Sequence, residues 1–136
     1  MTTKVGDVRT AAAEAITTAT GLRAYGLLQD KINAPCAMVG ALEFDPRYVL
    51  GSTVAEYPFQ VRCFFNRAAD QANQELIDTY RDVTGELSLT AALIDGDNWP
   101  DALVQSVDVT RVGELQVVEY IGVGYLYFEV DFSVIW

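Results

Sequence analysis

Two carboxylates near the C-terminus, Glu129 and Asp131, are the residues of this sequence best placed to do chemistry. They lie within a run whose apolar members alternate: Leu126, Phe128, Val130, Phe132, Val134 and Trp136. Residues two apart on a strand leave the same face roughly 6–7 Å from one another, a separation that suits the carboxylate pair of a glycosidase. Tyr125 and Tyr127 share that face and could stack on a sugar ring. The plain alternative is a solvated strand face, which carries such residues without any activity.

Other candidates are weaker. Asp95-Gly-Asp-Asn98 has the composition of a calcium loop but lacks the later Glu that closes one, so a capped turn is expected. The sequence has no His, which removes the commonest general base and metal ligand. Cys36 and Cys63 are too far apart for a zinc pair, and each lies in an apolar run, so two buried, reduced, slowly reacting thiols are expected. Gly122-Val-Gly124 runs into a strand, whereas a phosphate loop needs a helix N-terminus behind it. No cofactor, metal site or catalytic residue is therefore assigned.

Composition narrows the partners. The chain has 136 residues, 51% of them apolar, enough for one domain with a single core. Nine basic residues face nineteen acidic ones, and the imbalance is uneven: residues 1–34 hold four basic and three acidic, the remainder five and sixteen. A field of that sign repels phosphates, so DNA is expected to pass without specific binding. The first residues mix charges and contain no apolar core of a signal peptide, and no apolar run approaches the ~18 residues of a membrane span. A reducing cytoplasm is the expected place of synthesis, with no membrane partner.

The elements that must position these residues follow from periodicity. Val5, Val8, Ala12, Ala15 and Ile16 recur at helical steps between Lys4 and Thr18, and Gly21 stops the helix. Leu22–Tyr25 reads as a short strand and Gly26–Pro35 as a polar connector. Cys36–Phe44 reads as a strand with Cys36, Met38, Leu42 and Phe44 on one side. Asp45–Glu56 breaks both periods and is expected to be a loop. Its Tyr48, Val49, Leu50 and Val54 are apolar for a loop, and suit either a flap over the chain's own core or an arm packed on a neighbouring subunit. Tyr57–Phe65 alternates cleanly, with Gln60 and Arg62 opposite its apolar face. A helix over Arg67–Val83 would align Ala69, Ala72, Leu76, Tyr80 and Val83, with Asp70, Gln74, Asp78 and Arg81 facing away. A shorter helix, Ser88–Ile94, leads into the Asp95–Pro100 turn. Strands over Ala102–Val112 and Leu115–Tyr120 precede the closing one. This order predicts an α+β fold, a mostly antiparallel sheet with helices packed on one face.

Taken together, the opening helix, Gly21-Leu-Arg-Ala-Tyr25, Asp30-Lys-Ile-Asn-Ala-Pro-Cys-Ala-Met-Val39, the short helix before an Asp-Gly-Asp turn and the closing aromatic strand form a pattern. It resembles the small tail-terminator and tail-completion proteins of long-tailed bacteriophages over nearly the whole chain. The resemblance implies a non-enzymatic, ring-forming subunit, usually a hexamer, in the virion at the head-proximal end of the tail. Such a ring caps the tail tube protein, halts its polymerisation and meets a head connector or neck protein. A head-closure or neck connector ring is the neighbouring alternative. A monomeric carbohydrate-binding or glycosidase-like module using Glu129 and Asp131 is the alternative of a different class.

Overall fold

Helix α1 spans Lys4–Thr20 in the computed structural model, which describes residues 4–27, 31–42, 56–66, 71–100 and 103–135. Val8, Ala11, Ala12, Ala15 and Ile16 are buried along one stripe. The small alanines let the helix lie close to the sheet. Its end is set by Thr20, whose Oγ1 donates to the Ile16 carbonyl (2.7 Å), and by Gly21 at φ +78°. That left-handed backbone lets the Gly21 N–H close on the Thr17 carbonyl at 2.9 Å.

Among the described residues six strands form one sheet. β1 is only Ala24–Tyr25, shorter than the sequence suggests because Leu22 turns into the core instead of pairing. It runs parallel to β2 (Cys36–Ala41); every other pairing is antiparallel. β3 (Glu56–Asn66) and β6 (Val123–Ile135) are the central pair, in register from Glu56 opposite Ile135 to Asn66 opposite Tyr125. β4 (Ser106–Val112) and β5 (Gln116–Tyr120) lie one after the other along the far edge of β6. The fold is thus α+β, with a mostly antiparallel sheet.

The core forms where the helices meet one sheet face. Phe59, Val61, Cys63 and Phe65 of β3 and Leu126, Phe128, Val130, Phe132 and Val134 of β6 join α1 in one buried cluster. Phe59 stacks on Phe132 with ring centroids 5.4 Å apart, and Phe65 on Phe128 at 5.9 Å. Cross-strand aromatic pairs of this kind hold register as well as burying area.

Helix α2 spans Gln71–Arg81, and its buried line differs from the expected one. Ile77 is fully buried and Tyr80 packs on Phe65 at 5.6 Å, whereas Leu76 and Val83 are exposed by 45% and 65%. The stripe is rotated by one residue, and the helix ends at Arg81 instead of continuing through Val83. Arg81 does not face away either: its Nε donates to the Gly113 carbonyl at 3.1 Å.

Helix α3 (Leu89–Ile94) starts as expected at Ser88, whose Oγ accepts from the Ala91 N–H at 3.1 Å. The acidic turn after it is a capped one. Asp95 Oδ1 accepts from the Asp97 N–H (3.0 Å), Asn98 Nδ2 donates to the Ala92 carbonyl (2.9 Å), and buried Trp99 donates Nε1 to the Leu93 carbonyl (2.8 Å).

Candidate functional site: the outer face of the sheet

Alternation along β3 and β6 sends a second set of side chains to the face away from the helices. Tyr125, Tyr127, Glu129 and Asp131 emerge there from β6, opposite Asn66, Phe64, Arg62 and Gln60 of β3 in turn. The structure therefore brings together all four residues expected on this face. Tyr48, Val49, Leu50 and Val54 lie outside the described residues.

A fifth participant, Arg111, comes from β4. Val107 and Val109 oppose Val134 and Phe132, so unbroken pairing would set Arg111 opposite Val130 on the core side. A bulge between Val109 and Arg111 inserts Thr110 and shifts the register, placing Arg111 opposite Asp131 and Val112 opposite Val130. The sequence carried a trace of this. Arg111 falls on the parity of the half-buried Val107 and Val109 and Val112 on the opposite one, a phase break that marks an inserted residue.

The charged groups then satisfy one another. Arg111 donates Nε to Asp131 Oδ2 and Nη2 to Glu129 Oε1, both at 2.8 Å. The remaining oxygens are also engaged: Tyr127 donates its hydroxyl to Glu129 Oε2 at 2.7 Å, and Gln60 Nε2 donates to Asp131 Oδ1 at 3.0 Å. Gln60 Oε1 in turn accepts from Arg62 Nε at 2.9 Å. Gly113 makes room for the clasp, since a Cβ there would stand 3.0 Å from an Arg111 nitrogen and 3.1 Å from the Glu129 carbonyl oxygen. Hydrogen bonds to Asp131 and then Glu129 hold the guanidinium even more firmly protonated than usual. Burial, followed by the bond to Glu129, pushes the Tyr127 hydroxyl well up.

This arrangement clamps three strands. Two arginines balance two carboxylates, and no carboxylate oxygen of the pair is left without a protein partner. The tyrosines are likewise engaged: Phe64 sits 6.1 Å from Tyr125, edge-on, and 5.0 Å from Tyr127, tilted. Tyr125 retains only 8% of its exposure, so its ring is not presented as a platform.

Both cysteines are buried and free. They point to opposite faces, which corrects the expected side for β2. Cys63 opposes Ala37 on the core side, and Cys36 opposes Phe64 on the outer side, so Ala37 and Val39 are the residues of β2 that meet the helices. Burial pushes both thiols up.

Among the described residues no cluster of three or more acidic or cysteine side chains could hold a metal, and no helix is long and apolar enough to cross a membrane. Compared with protein-family models and with curated proteins, the chain matches none.

Proposed function

We propose that this chain is a structural subunit that works by assembling with copies of itself. Within that class it is the terminator ring of a long-tailed bacteriophage tail, capping the head-proximal end of the tube and offering a surface to the neck. One observation carries the reading. Of the eight large apolar side chains exposed among the described residues, four (Val117, Tyr120, Ile121 and Val123) sit together on the β5–β6 hairpin. Tyr120 and Val123, cross-strand partners on one face, form with Ile121 at the turn an apolar tip of the kind a protein partner covers, while Val117 faces the other side.

Further support comes from charge and from the outer face of the sheet. A net charge of −10 suits a ring through which DNA slides without sticking. The self-balanced outer face suits a wall better than a reaction centre, because its acids are tied up in holding strands together.

Phage lacking the gene for this chain test the assignment. A tube of identical rings always presents an end that accepts another ring, so length control needs a cap with no equivalent surface beyond it. The expected result is tails of abnormal, variable length, unattached to filled heads. Tails of normal length that fail to join heads would replace the terminator with a neck role.

A further inference from the structure

Turn residues and turn geometry do not match everywhere in this chain. Tyr120 pairs with Val123 across the β5–β6 turn, where Ile121 has φ +50° and Gly122 φ +74°. Positive φ at both central residues is the pattern that favours Asn-Gly, and a β-branched residue in this region is an outlier. The sequence does contain a step of that type, but elsewhere: Asp95-Gly96, in the turn that follows α3. No other glycine of the sequence follows Asp or Asn.

Backbone geometry does not require a glycine at this second place. Gly96 lies outside the left-handed region, and a Cβ added to it would meet nothing within 4 Å. Alanine would therefore fit. What the pair brings is a reactivity of its own, because no side chain stands beside the glycine nitrogen to hinder its approach to the aspartyl Cγ. Asp95 and Gly96 are both exposed, so water has access. In the reaction the Gly96 nitrogen bonds to Asp95 Cγ, its proton and the hydroxyl of the protonated carboxyl leave as water, and a five-membered imide forms. Water then adds back. Opening at the side-chain carbonyl restores aspartate, whereas opening at the main-chain carbonyl leaves isoaspartate, with the chain running through Cβ and Cγ.

The folded turn opposes the first of these steps. Ring closure brings the Gly96 nitrogen to the same side of the Asp95 Cα–C bond as Cβ, which in an L residue requires ψ near about −120°. Asp95 has φ −74° and ψ 110°, so about 130° of rotation separates it from closure. Hydrogen bonds hold it there. Asp95 Oδ1 accepts from the Asp97 N–H at 3.0 Å, its carbonyl accepts from the Asn98 N–H at 3.1 Å, and the Gly96 carbonyl accepts from the Trp99 N–H at 3.2 Å. The first engages the reacting carboxylate, and the second breaks as soon as the carbonyl swings. Beyond them Trp99 is anchored in the core at 6% exposure with its Nε1 on the Leu93 carbonyl, and Asn98 is tied to Ala92. The Gly96 peptide therefore cannot rotate while both ends of the turn stay in place.

We infer that Asp95 is a latent isoaspartate site, held unreacted by the folded turn after α3 and exposed to reaction when that turn opens. Such opening is a local event that leaves the rest of the sheet intact. Its product is lasting. The methylene added to the main chain displaces the capping carboxylate from the Asp97 N–H, so the turn does not close again and the chain keeps a covalent record of having opened.

Incubation of the full chain at neutral pH, folded in buffer and unfolded in urea, tests this, with isoaspartate detected by an isoaspartyl methyltransferase and placed by peptide mapping in a mass spectrometer. The unfolded chain should accumulate isoaspartate at Asp95, and the folded chain should do so at least about tenfold more slowly. Asn98→Ala, which removes one tie of the turn, should react faster than the unaltered folded chain while circular dichroism shows it still folded. Gly96→Ala should fold normally and react slowly in both solvents. A folded chain that isomerises at Asp95 as fast as the unfolded one, or a folded Asn98→Ala chain no faster than the unaltered one, overturns the protection by the turn. An unfolded chain that forms no isoaspartate at Asp95 overturns the site itself.

Discussion

Ile121 allows strain and function to be separated by a single substitution. A non-glycine residue in the left-handed region costs on the order of 1–2 kcal/mol, and a β-branched one has no local hydrogen bond to offset it. Burying an Ile fully contributes about 1.5–3 kcal/mol. At 82% exposure, Ile121 recovers less than about a fifth of that inside its own chain, roughly 0.3–0.6 kcal/mol. Asn tolerates positive φ and, followed by Gly, is the favoured pair for this turn. Ile121→Asn should therefore stabilise the folded monomer by about 1 kcal/mol, a rise in Tm of roughly 3–5 °C for a chain of this size. Ring formation would itself raise the apparent stability of the unaltered chain, so the comparison belongs at a concentration at which sedimentation shows both species to be monomers. Thermal unfolding by circular dichroism and urea titration give the two estimates. A Tm that falls or stays unchanged would refute the reasoning, because it would mean that Ile121 is held by contacts within its own chain.

Two further outcomes follow from the geometry. The hydroxyl of Tyr127 keeps its proton in the folded chain to higher pH than in the unfolded one, where it ionises near its ordinary pKa of about 10, and the Cys63 thiol behaves likewise from about 9. The unfolded state thus binds fewer protons above those values, so stability should be intact below about pH 9 and decline as pH rises beyond it. Tyr127→Phe should make the decline above about pH 10 shallower in urea titrations, and an unchanged alkaline slope would remove the role given to this tyrosine. Gly26→Ala should destabilise the chain by about 1–3 kcal/mol, because the added Cβ meets the backbone of α1 and not a side chain that can move aside. A loss below about 0.5 kcal/mol in the same titration would show that α1 and the segment after β1 separate easily.

Legibility from the sequence followed the contrast between faces. β6 and β3 were readable because each buries one apolar face against the helices and turns a mixed polar face outward, so alternation survives intact. β2 was not, because Cys36, Ala37, Met38 and Val39 are all buried and a strand covered on both sides has no alternation to read. The register of α2 is ambiguous by one position because Leu76 and Ile77 are adjacent and equally apolar and each stands a helical step from Tyr80; only the packed structure, which buries Ile77, decides between them. The carboxylate pair and its tyrosines were found on one face as expected, but Arg111 was missed. Period-two reasoning assumes an unbroken ladder, and Thr110 breaks it.

Arg111 also explains why the same residues support two opposite readings. Spacing alone makes Glu129 and Asp131 look like a pair in search of a substrate, since two carboxylates on one face repel and are costly unless something is gained from them. The bulge supplies what spacing omits, a cation held between them at 2.8 Å from each. With Arg111 in place the pair no longer needs a function to account for it; the contacts are those of a cross-strand clasp that ties β4 to β6, and Gln60 extends it to β3. What remains unexplained is the apolar hairpin, where no neighbour among the described residues accounts for Ile121 at positive φ. Among the described residues, the one non-glycine backbone at positive φ therefore lies at the edge of the sheet and not on its face.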